Sequence, residues 1–260
     1  MAIIVSSTAQ PSDKGISISS SNVLIGQTPT ITDPGTGEVA ANISDPDHSL
    51  TYTCGTDVGD FAVSYGAQVD ITYVAISGHT AATPTQATIE LYDGVTLVQS
   101  VVLKRNNNVM FTFTMRSFSD LIVKFKTVPN NYQMTLSYIA AGQHITILTG
   151  EQSGYSRSWL NRHTTQRTAT TLEVGPVTSI QKQKALKGSL NFPNQLTAFT
   201  RGVWQDFIDF SFEQPFFIKE VISNPESSYI CYDPVFSVKA HKSTRKLDFI
   251  NVSFNVFNGL

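Results

Sequence analysis

Short segments in which apolar and polar residues alternate dominate this chain of 260 residues. Because a period of two brings every second side chain to one face of a strand, each segment predicts a half-buried β-strand. Turn signals separate the segments about every 8–12 residues, which is typical of a β-sandwich or jelly roll. The clearest predicted strands lie at 69–76, 88–92, 97–103, 109–115, 121–126, 134–139, 186–192, 216–222, 229–232, 235–240 and 247–257.

One segment, 196–212, carries a helical period instead. Phe199, Val203, Trp204 and Phe207 recur at the spacing of 3.6 residues that defines one helix face. The sequence therefore predicts an all-β protein of two β-sandwich domains, the first jelly-roll-like and the second with one short helix. We place the boundary after residue 140, which gives domains at 1–140 and 141–260.

The charge content is low, with 15% charged residues against about 25% in an average globular protein. An uncharged polar surface is common where subunits pack together, although a Thr-rich β protein would have the same composition. Residues 1–140 carry a net charge of −5 and residues 141–260 carry +3. Opposite signs favour docking between copies or partners, and neither value indicates a nucleic-acid partner.

The two cysteines, Cys54 and Cys231, lie one in each predicted domain. A disulfide between them would join the domains, but two buried, unpaired thiols are the preferred interpretation. The first residues lack the basic and apolar regions of a signal peptide, and no apolar run reaches the length of about 20 residues that spans a bilayer. We expect a soluble protein that does not insert into membranes.

Motifs of the common catalytic and cofactor sites are absent from the sequence, including the nucleophile elbow, the phosphate-binding loop and paired metal-ligand motifs. Asp206 and Asp209 are spaced to share a helix face, but a solvated face explains them better than acid–base catalysis. The sequence therefore predicts a non-enzymatic protein without cofactor or metal.

A longer stretch resembles the discoidin-like (coagulation factor 5/8 C-type) family. The resemblance covers about residues 38–140 and depends on the segments 40–49, 59–66, 69–79 and 90–94. This sequence lacks the Trp that the family usually has after the acidic loop. It implies a galactose-binding-like jelly roll that binds glycans through its loops. The residues that this comparison and the loop chemistry single out as ligand-binding are Asp45, Asp47, His48 and His79.

The acidic loop at Asp45 and Asp47 allows two interpretations. Its carboxylates could supply oxygens to a hard cation such as calcium, but two carboxylates are few for such a site. Asp and Asn also favour turns by hydrogen bonding to their own backbone, and a turn is the preferred interpretation.

The second half is similar in style to closing domains of virion structural proteins of tailed phages. The resemblance depends on 204–208, 214–218, 229–232 and 251–256. It implies a tail, baseplate or neck protein located in the virion, whose partners are other copies of itself, other virion proteins and host surface glycan. The polar segment 143–185 is then an arm that contacts a neighbour through Tyr155, Trp159 and Leu160, or else an ordinary long loop.

Six basic residues in and after this segment raise a nucleic-acid alternative, since aromatic residues are interleaved with them. They are spread without a compact patch, so subunit contact is simpler; they are Arg157, Arg162, Arg167, Lys182, Lys184 and Lys187. The sequence thus predicts a tailed-phage virion protein that assembles by surface contacts, and the alternative is a free carbohydrate-binding module.

Overall fold

The structure is a computed structural model that describes residues 15–32, 39–47, 50–54, 60–66, 68–82, 86–103, 105–126, 133–148, 154–156, 162–167, 181–240 and 247–257. Antiparallel strands dominate these residues, which confirms the predicted all-β class. Within the same ranges no helix has both the length and the apolar character needed to cross a bilayer.

The elements in chain order are β1 (Gly15–Ser19), β2 (Thr30–Ile31), a 3-10 helix (Ala40–Ser44), β3 (Tyr52–Thr53), β4 (Asp60–Tyr65), β5 (Val69–Ser77), β6 (Ala87–Asp93), β7 (Thr96–Leu103), β8 (Val109–Phe118), β9 (Leu121–Lys126), β10 (Thr135–Leu136), β11 (Tyr138–Gly142), β12 (His144–Leu148), β13 (Gly154–Ser156), β14 (Arg162–Arg167), β15 (Gln181–Leu196), α1 (Thr197–Arg201), α2 (Val203–Glu213), β16 (Phe216–Lys219), β17 (Ser228–Ala240) and β18 (Leu247–Phe257).

The first sandwich packs a five-stranded sheet, in the order β2-β4-β9-β6-β7, against a three-stranded sheet, β11-β5-β8. Ile89 and Leu91 of β6 point into the core, whereas Glu90 between them faces outward. Ile71 and Phe111 of the opposing sheet belong to the same apolar core. The alternation in the sequence therefore identifies the buried face of these strands correctly.

The second sheet has eight strands, in the order β12-β1-β16-β17-β18-β15-β13, with β14 also paired to β15. Strand β1 comes from the start of the chain and lies between β12 and β16. Residues 15–19 therefore pair with strands of the second half. The division into 1–140 and 141–260 otherwise stays a prediction.

The predicted helix at 196–212 is confirmed, with a break at Gly202 that separates α1 from α2. Trp204 and Phe207 are buried on the second sheet, where Phe207 makes edge contacts with Phe216 and Phe236. The aromatic residues at helical spacing thus form the contact that holds α2 on the sheet.

Two strand predictions differ from the structure in their continuity. The predicted strand 134–139 is divided at Ser137 into β10 and β11, which pair with different strands. The predicted strands 229–232 and 235–240 are one strand, β17, with a register shift between Tyr232 and Val235. Asp233 takes a positive φ of 50° there, which lets the strand bulge and continue.

A third apolar cluster joins the two halves. It brings residues of the three-stranded sheet against β16 and β17, and its members are Tyr73, Ala75, Met110, Tyr138, Ala140, Phe217 and Ile230. Lys219 is buried beside this cluster and donates from Nζ to Thr112 Oγ1 at 2.9 Å. Burial lowers the pKa of Lys219 to about 8.

Both cysteines are buried and free, as the preferred interpretation predicted. Burial raises the pKa of Cys231 well above its usual value, because a thiolate loses its hydration there. The two halves are thus joined by packing and strand pairing.

Candidate binding site at one end of the sandwich

Loops at one end of the first sandwich are linked to one another by hydrogen bonds. We define the loop end as residues 77–82, 105–108 and 133–136. Strand β5 ends here at Ser77. Near the start of β5 the Gln143 side chain donates to Asp70 O at 2.8 Å, and Gly142 pairs with Tyr73 at the centre of the strand. The loop end therefore lies at the opposite end of β5 from the point where the chain passes into the second half.

A glycine turn after β5 brings the first of these loops close to the third. Gly78 has a φ of +66°, and a side chain at this position would run into Ser137. Thr80 N–H donates to Thr135 O at 3.1 Å, and Thr135 N–H donates to Thr80 Oγ1 at 2.9 Å. Gly78 is required because only a glycine combines this conformation with such close packing.

His79 connects the first loop to the second. Its imidazole is only 3% exposed, and Nε2 lies 2.7 Å from the backbone oxygen of Asn107. Since a carbonyl oxygen only accepts, Nε2 carries the proton and donates. Burial lowers the pKa of His79 to about 4, an effect that the bond to Asn107 partly opposes. The neutral ring therefore holds the 105–108 turn, while direct ligand contact by His79 stays a prediction.

Two further hydrogen bonds fix the same turn. Ala82 N–H donates to Asn106 Oδ1 at 2.8 Å, and Ser77 Oγ donates to Asn108 Oδ1 at 2.9 Å. The inner amides are thus occupied by the protein itself. The exposed side chains left at the loop end include Arg105, Asn107 and Gln133.

The exposed groups at the loop end can donate and accept hydrogen bonds. A carboxamide offers both donors and an acceptor, and a guanidinium offers five donors in a fixed plane. A few polar groups placed by a rigid scaffold fix the orientation of a ligand and supply specificity. The sequence prediction missed Arg105, Asn107 and Gln133, although the three consecutive amides of 106–108 mark this turn clearly.

The acidic loop forms a turn, as the preferred interpretation predicted. Asp47 N–H donates to Asp45 Oδ1 at 2.8 Å, which is the bond of an Asx turn. The preceding 3-10 helix packs on β3, and β3 pairs with β10 at the loop end. Among the described residues no cluster of three or more His, Cys, Asp or Glu side chains is arranged to hold a metal ion. The predicted site residue His48 lies outside the described residues.

The predicted subunit-contact residues fall mostly outside the described ranges. Tyr155 lies in β13, where its backbone pairs with Leu190, while Trp159 and Leu160 are not described. The described parts of 143–185 are Gln143, β12, β13, β14 and the first residues of β15, and these strands pair with strands of this same chain. Contact of this segment with a second copy stays a prediction.

The carboxylates of α2 lie on its solvent side. Asp206 and Asp209 are both exposed, and Gln205 Nε2 donates to Asp209 Oδ1 at 3.0 Å. This matches the solvated helix face that the sequence favoured over a catalytic pair.

Comparisons with known proteins give structural likenesses at low identity. A chitosan-binding module from Paenibacillus sp. IK-5 is 18% identical, and the match covers 46% of this chain and 98% of that one at a TM-score of 0.36. A fucose-binding module of Streptococcus pneumoniae is 14% identical, with 47% and 94% covered at a TM-score of 0.37. A Clostridium perfringens module in complex with GalNAc-β-1,3-galactose is 8% identical, with 44% and 93% covered at 0.35.

No family model and no curated protein matches this chain. The three structural matches have TM-scores below 0.4, so nothing about the function of this chain follows from them. The case for a binding site depends on the loop end itself.

Proposed function

We propose that this protein is a non-catalytic binding component of a larger assembly, whose first sandwich recognises a glycan through the loop end. The observation that carries the proposal is the hydrogen bond of 2.7 Å from His79 Nε2 to the Asn107 carbonyl, which holds the 105–108 turn on its buried side. Because its backbone is already held, the turn presents Arg105 and Asn107 to solvent without a further cost of ordering the backbone on binding. In ligand sites, a small number of polar groups placed in advance supplies orientation and specificity.

The second half serves as the anchor in this proposal. The buried cluster around Phe217 and Tyr138 fixes the sandwich against the second sheet. A rigid junction favours display, because loops held in one orientation on a repeating assembly can engage many copies of a ligand at once.

The assembly that we propose is the virion of a tailed phage, with this chain in the tail, baseplate or neck. The supporting observations are the low charged fraction of 15% and the opposite net charges of the two halves. Both favour repeated contacts between copies or with other virion proteins. Immunogold electron microscopy of purified particles tests this: label at one fixed position supports it, and unlabelled particles contradict it.

The second candidate function is a free carbohydrate-binding module, which the loop end supports without any assembly. Sedimentation of the purified protein separates the two candidates. A monomer that binds glycans favours the free module, and a ring or other oligomer favours the structural role.

A glycan array tests recognition by the loop end. The double variant Arg105→Ala/Asn107→Ala removes two exposed side chains but leaves the Asn107 carbonyl that His79 requires. Its matched control is Arg201→Ala/Asn251→Ala, which removes an exposed Arg and an exposed Asn from the second half. We expect the first variant to lose array binding and the control to retain it. Equal binding by both variants would contradict the proposal.

A further inference from the structure

Two basic side chains reach from the second sheet across the junction and end on threonines of the first sandwich. Lys219 of β16 donates from Nζ to Thr112 Oγ1 of β8 at 2.9 Å. The Nδ1 atom of His144, in β12, lies 2.7 Å from Thr72 Oγ1 of β5. The backbone N–H of His144 donates to the same oxygen at 2.8 Å. Both contacts hold the two parts together, and both place a base in the interface.

Strand β1 brings the two bases close to each other. Its Ser17 lies opposite Lys219 on β16, and its Ser19 lies opposite His144 on β12. Ile18, between these serines, belongs to the core of the second half. Because side chains alternate along a strand, the serines and both bases lie on the other face of the sheet, toward the first sandwich.

Neither base has a carboxylate partner among the described residues. Burial lowers the pKa of Lys219 to about 8. Burial and, to a smaller extent, the positive charge of Lys219 lower the pKa of His144 to about 4. A carboxylate beside either base would act in the opposite direction. At neutral pH the junction therefore holds one positive charge, and a proton on His144 adds a second one beside it.

The other ionisable groups on the strands around the two bases do not compensate this charge. Burial raises the pKa of the tyrosines among them, so these side chains stay neutral. The charged groups have other contacts or lie in solvent. The set comprises Tyr73, Tyr138 and Tyr232, Asp70 bound by Ser117 Oγ, Arg116 paired with Asp93, Asp233 bound by Asn255 Nδ2, Glu220, whose charge raises the pKa of Cys231, and the exposed Lys239.

We propose that the junction is an acid-sensitive hinge: a proton taken up by His144 places a second positive charge beside Lys219, and the first sandwich then swings away from the second sheet while both stay folded. The fold permits this movement, because no ladder of hydrogen-bonded strands joins the described sheets of the two parts. The described chain passes between them at two places only, after β1 and before β12. At neutral pH the loop end is held in one direction, and in acid it is released. This regulation goes beyond the proposed function and does not depend on it.

His144 binds a proton more tightly when the junction is open. Its pKa is about 4 in the closed form and returns toward 6.5 when the imidazole is hydrated. The open form therefore gains protons between these two values, and acid shifts the equilibrium toward it. From pH 7.5 to pH 4.5 the equilibrium constant for opening should rise roughly 50- to 100-fold.

Native-state hydrogen exchange measures this opening constant. The two probes are backbone amides that donate across the junction, His144 N–H to Thr72 Oγ1 and Met110 N–H to Pro225 O. After correction for intrinsic exchange rates, we expect their protection to fall roughly 50- to 100-fold from pH 7.5 to pH 4.5. Amides of the β6–β9 and β15–β18 ladders should remain at least roughly tenfold better protected at pH 4.5, because both parts stay folded.

His144→Gln should reduce the fall at the two probes to below about threefold, since glutamine does not titrate. The matched control is His79→Gln, because burial also lowers the pKa of His79 to about 4 but this imidazole lies inside the first sandwich. We expect the control to show the same fall at the probes as wild type. A proton NMR titration of the His144 imidazole adds a measurement that needs no His144 variant, and in Lys219→Met the pKa of His144 should rise.

Unchanged protection of the two probes between pH 7.5 and pH 4.5 would overturn the inference. It would also fail if the ladder amides exchanged as fast as the probes in acid, or if His79→Gln reduced the fall as much as His144→Gln. A His144 imidazole that titrates near pH 6.5 in the folded protein would overturn it as well. Each of these results would leave glycan binding by the loop end intact.

Discussion

Phe217 stacks on Tyr138 across the junction of the two halves, with ring planes 12° apart and centroids 6.1 Å apart. Tyr138 belongs to β11 of the first sandwich, and Phe217 belongs to β16 of the second sheet. Both rings are buried, and the Tyr138 hydroxyl accepts from Asn22 Nδ2 at 2.8 Å. The halves thus share a packed apolar contact, which fixes the direction in which the loop end points.

Phe217→Ala should lower the free energy of unfolding by about 3–5 kcal/mol, because it leaves a cavity in the junction. Urea denaturation followed by tryptophan fluorescence measures the change. Phe212→Ala is the control, since Phe212 is 67% exposed and its loss should cost below about 1.5 kcal/mol. Equal losses in the two variants would show that the junction contributes no special stability.

Gly78→Ala should destabilise the loop end by about 1–3 kcal/mol, because alanine is strained at a φ of +66° and its methyl group would meet Ser137. Thermal unfolding measures this loss. In Gly66→Ala the added methyl group meets no atom within 4 Å, so this control should keep its stability. A Gly78→Ala protein as stable as the control would mean that the turn is not held as described.

His79 should make stability depend on pH in a defined window. Its pKa is about 4 in the folded protein and near 6.5 when unfolded, so the unfolded chain binds the extra proton between these values. The contribution of the neutral His79 to the free energy of unfolding is therefore fully present above pH 6.5. It falls by about 1.4 kcal/mol per pH unit as the pH is lowered toward 4. In His79→Gln the part of the pH dependence that comes from His79 should disappear. An unchanged slope in urea titrations across the window would contradict the burial of a neutral imidazole.

Lys219 should make stability depend on pH in the alkaline range. Its pKa is about 8 when folded and 10.5 when unfolded, so the buried charge costs stability below pH 8 and the cost is relieved as the pH rises to 10.5. Lys219→Met should therefore be more stable than wild type at pH 7, by about 1–3 kcal/mol, and the gain should shrink at pH 10. A variant that is less stable at pH 7 would mean that the Thr112 bond outweighs the burial of the charge.

The sequence predicted the positions of strands most accurately where one face of the strand is buried. Strands β5 to β9 follow the predicted segments closely, since a shift of one residue would turn every apolar side chain toward solvent. Strand β1 was missed although Ile16 and Ile18 alternate with serines. Its partners, β12 and β16, lie more than 120 residues away, and no local pattern specifies a pairing over that distance.

The candidate site was only partly predictable for a similar reason. The sequence singled out His79, but the connection of His79 to the 105–108 turn depends on the packing of β5 against β8. The roles of His79 as a buried anchor and of Arg105 and Asn107 as exposed groups follow from burial, which a short polar loop does not reveal.

The most direct test of the account is a titration of the isotope-labelled protein with methyl β-galactoside and with fucose, followed by backbone amide NMR. If the loop end is the recognition surface, shifts should concentrate at 77–82, 105–108 and 133–136 and should vanish in Arg105→Ala/Asn107→Ala. Shifts confined to the outer face of β6 and β9, or to the second sheet, would contradict it.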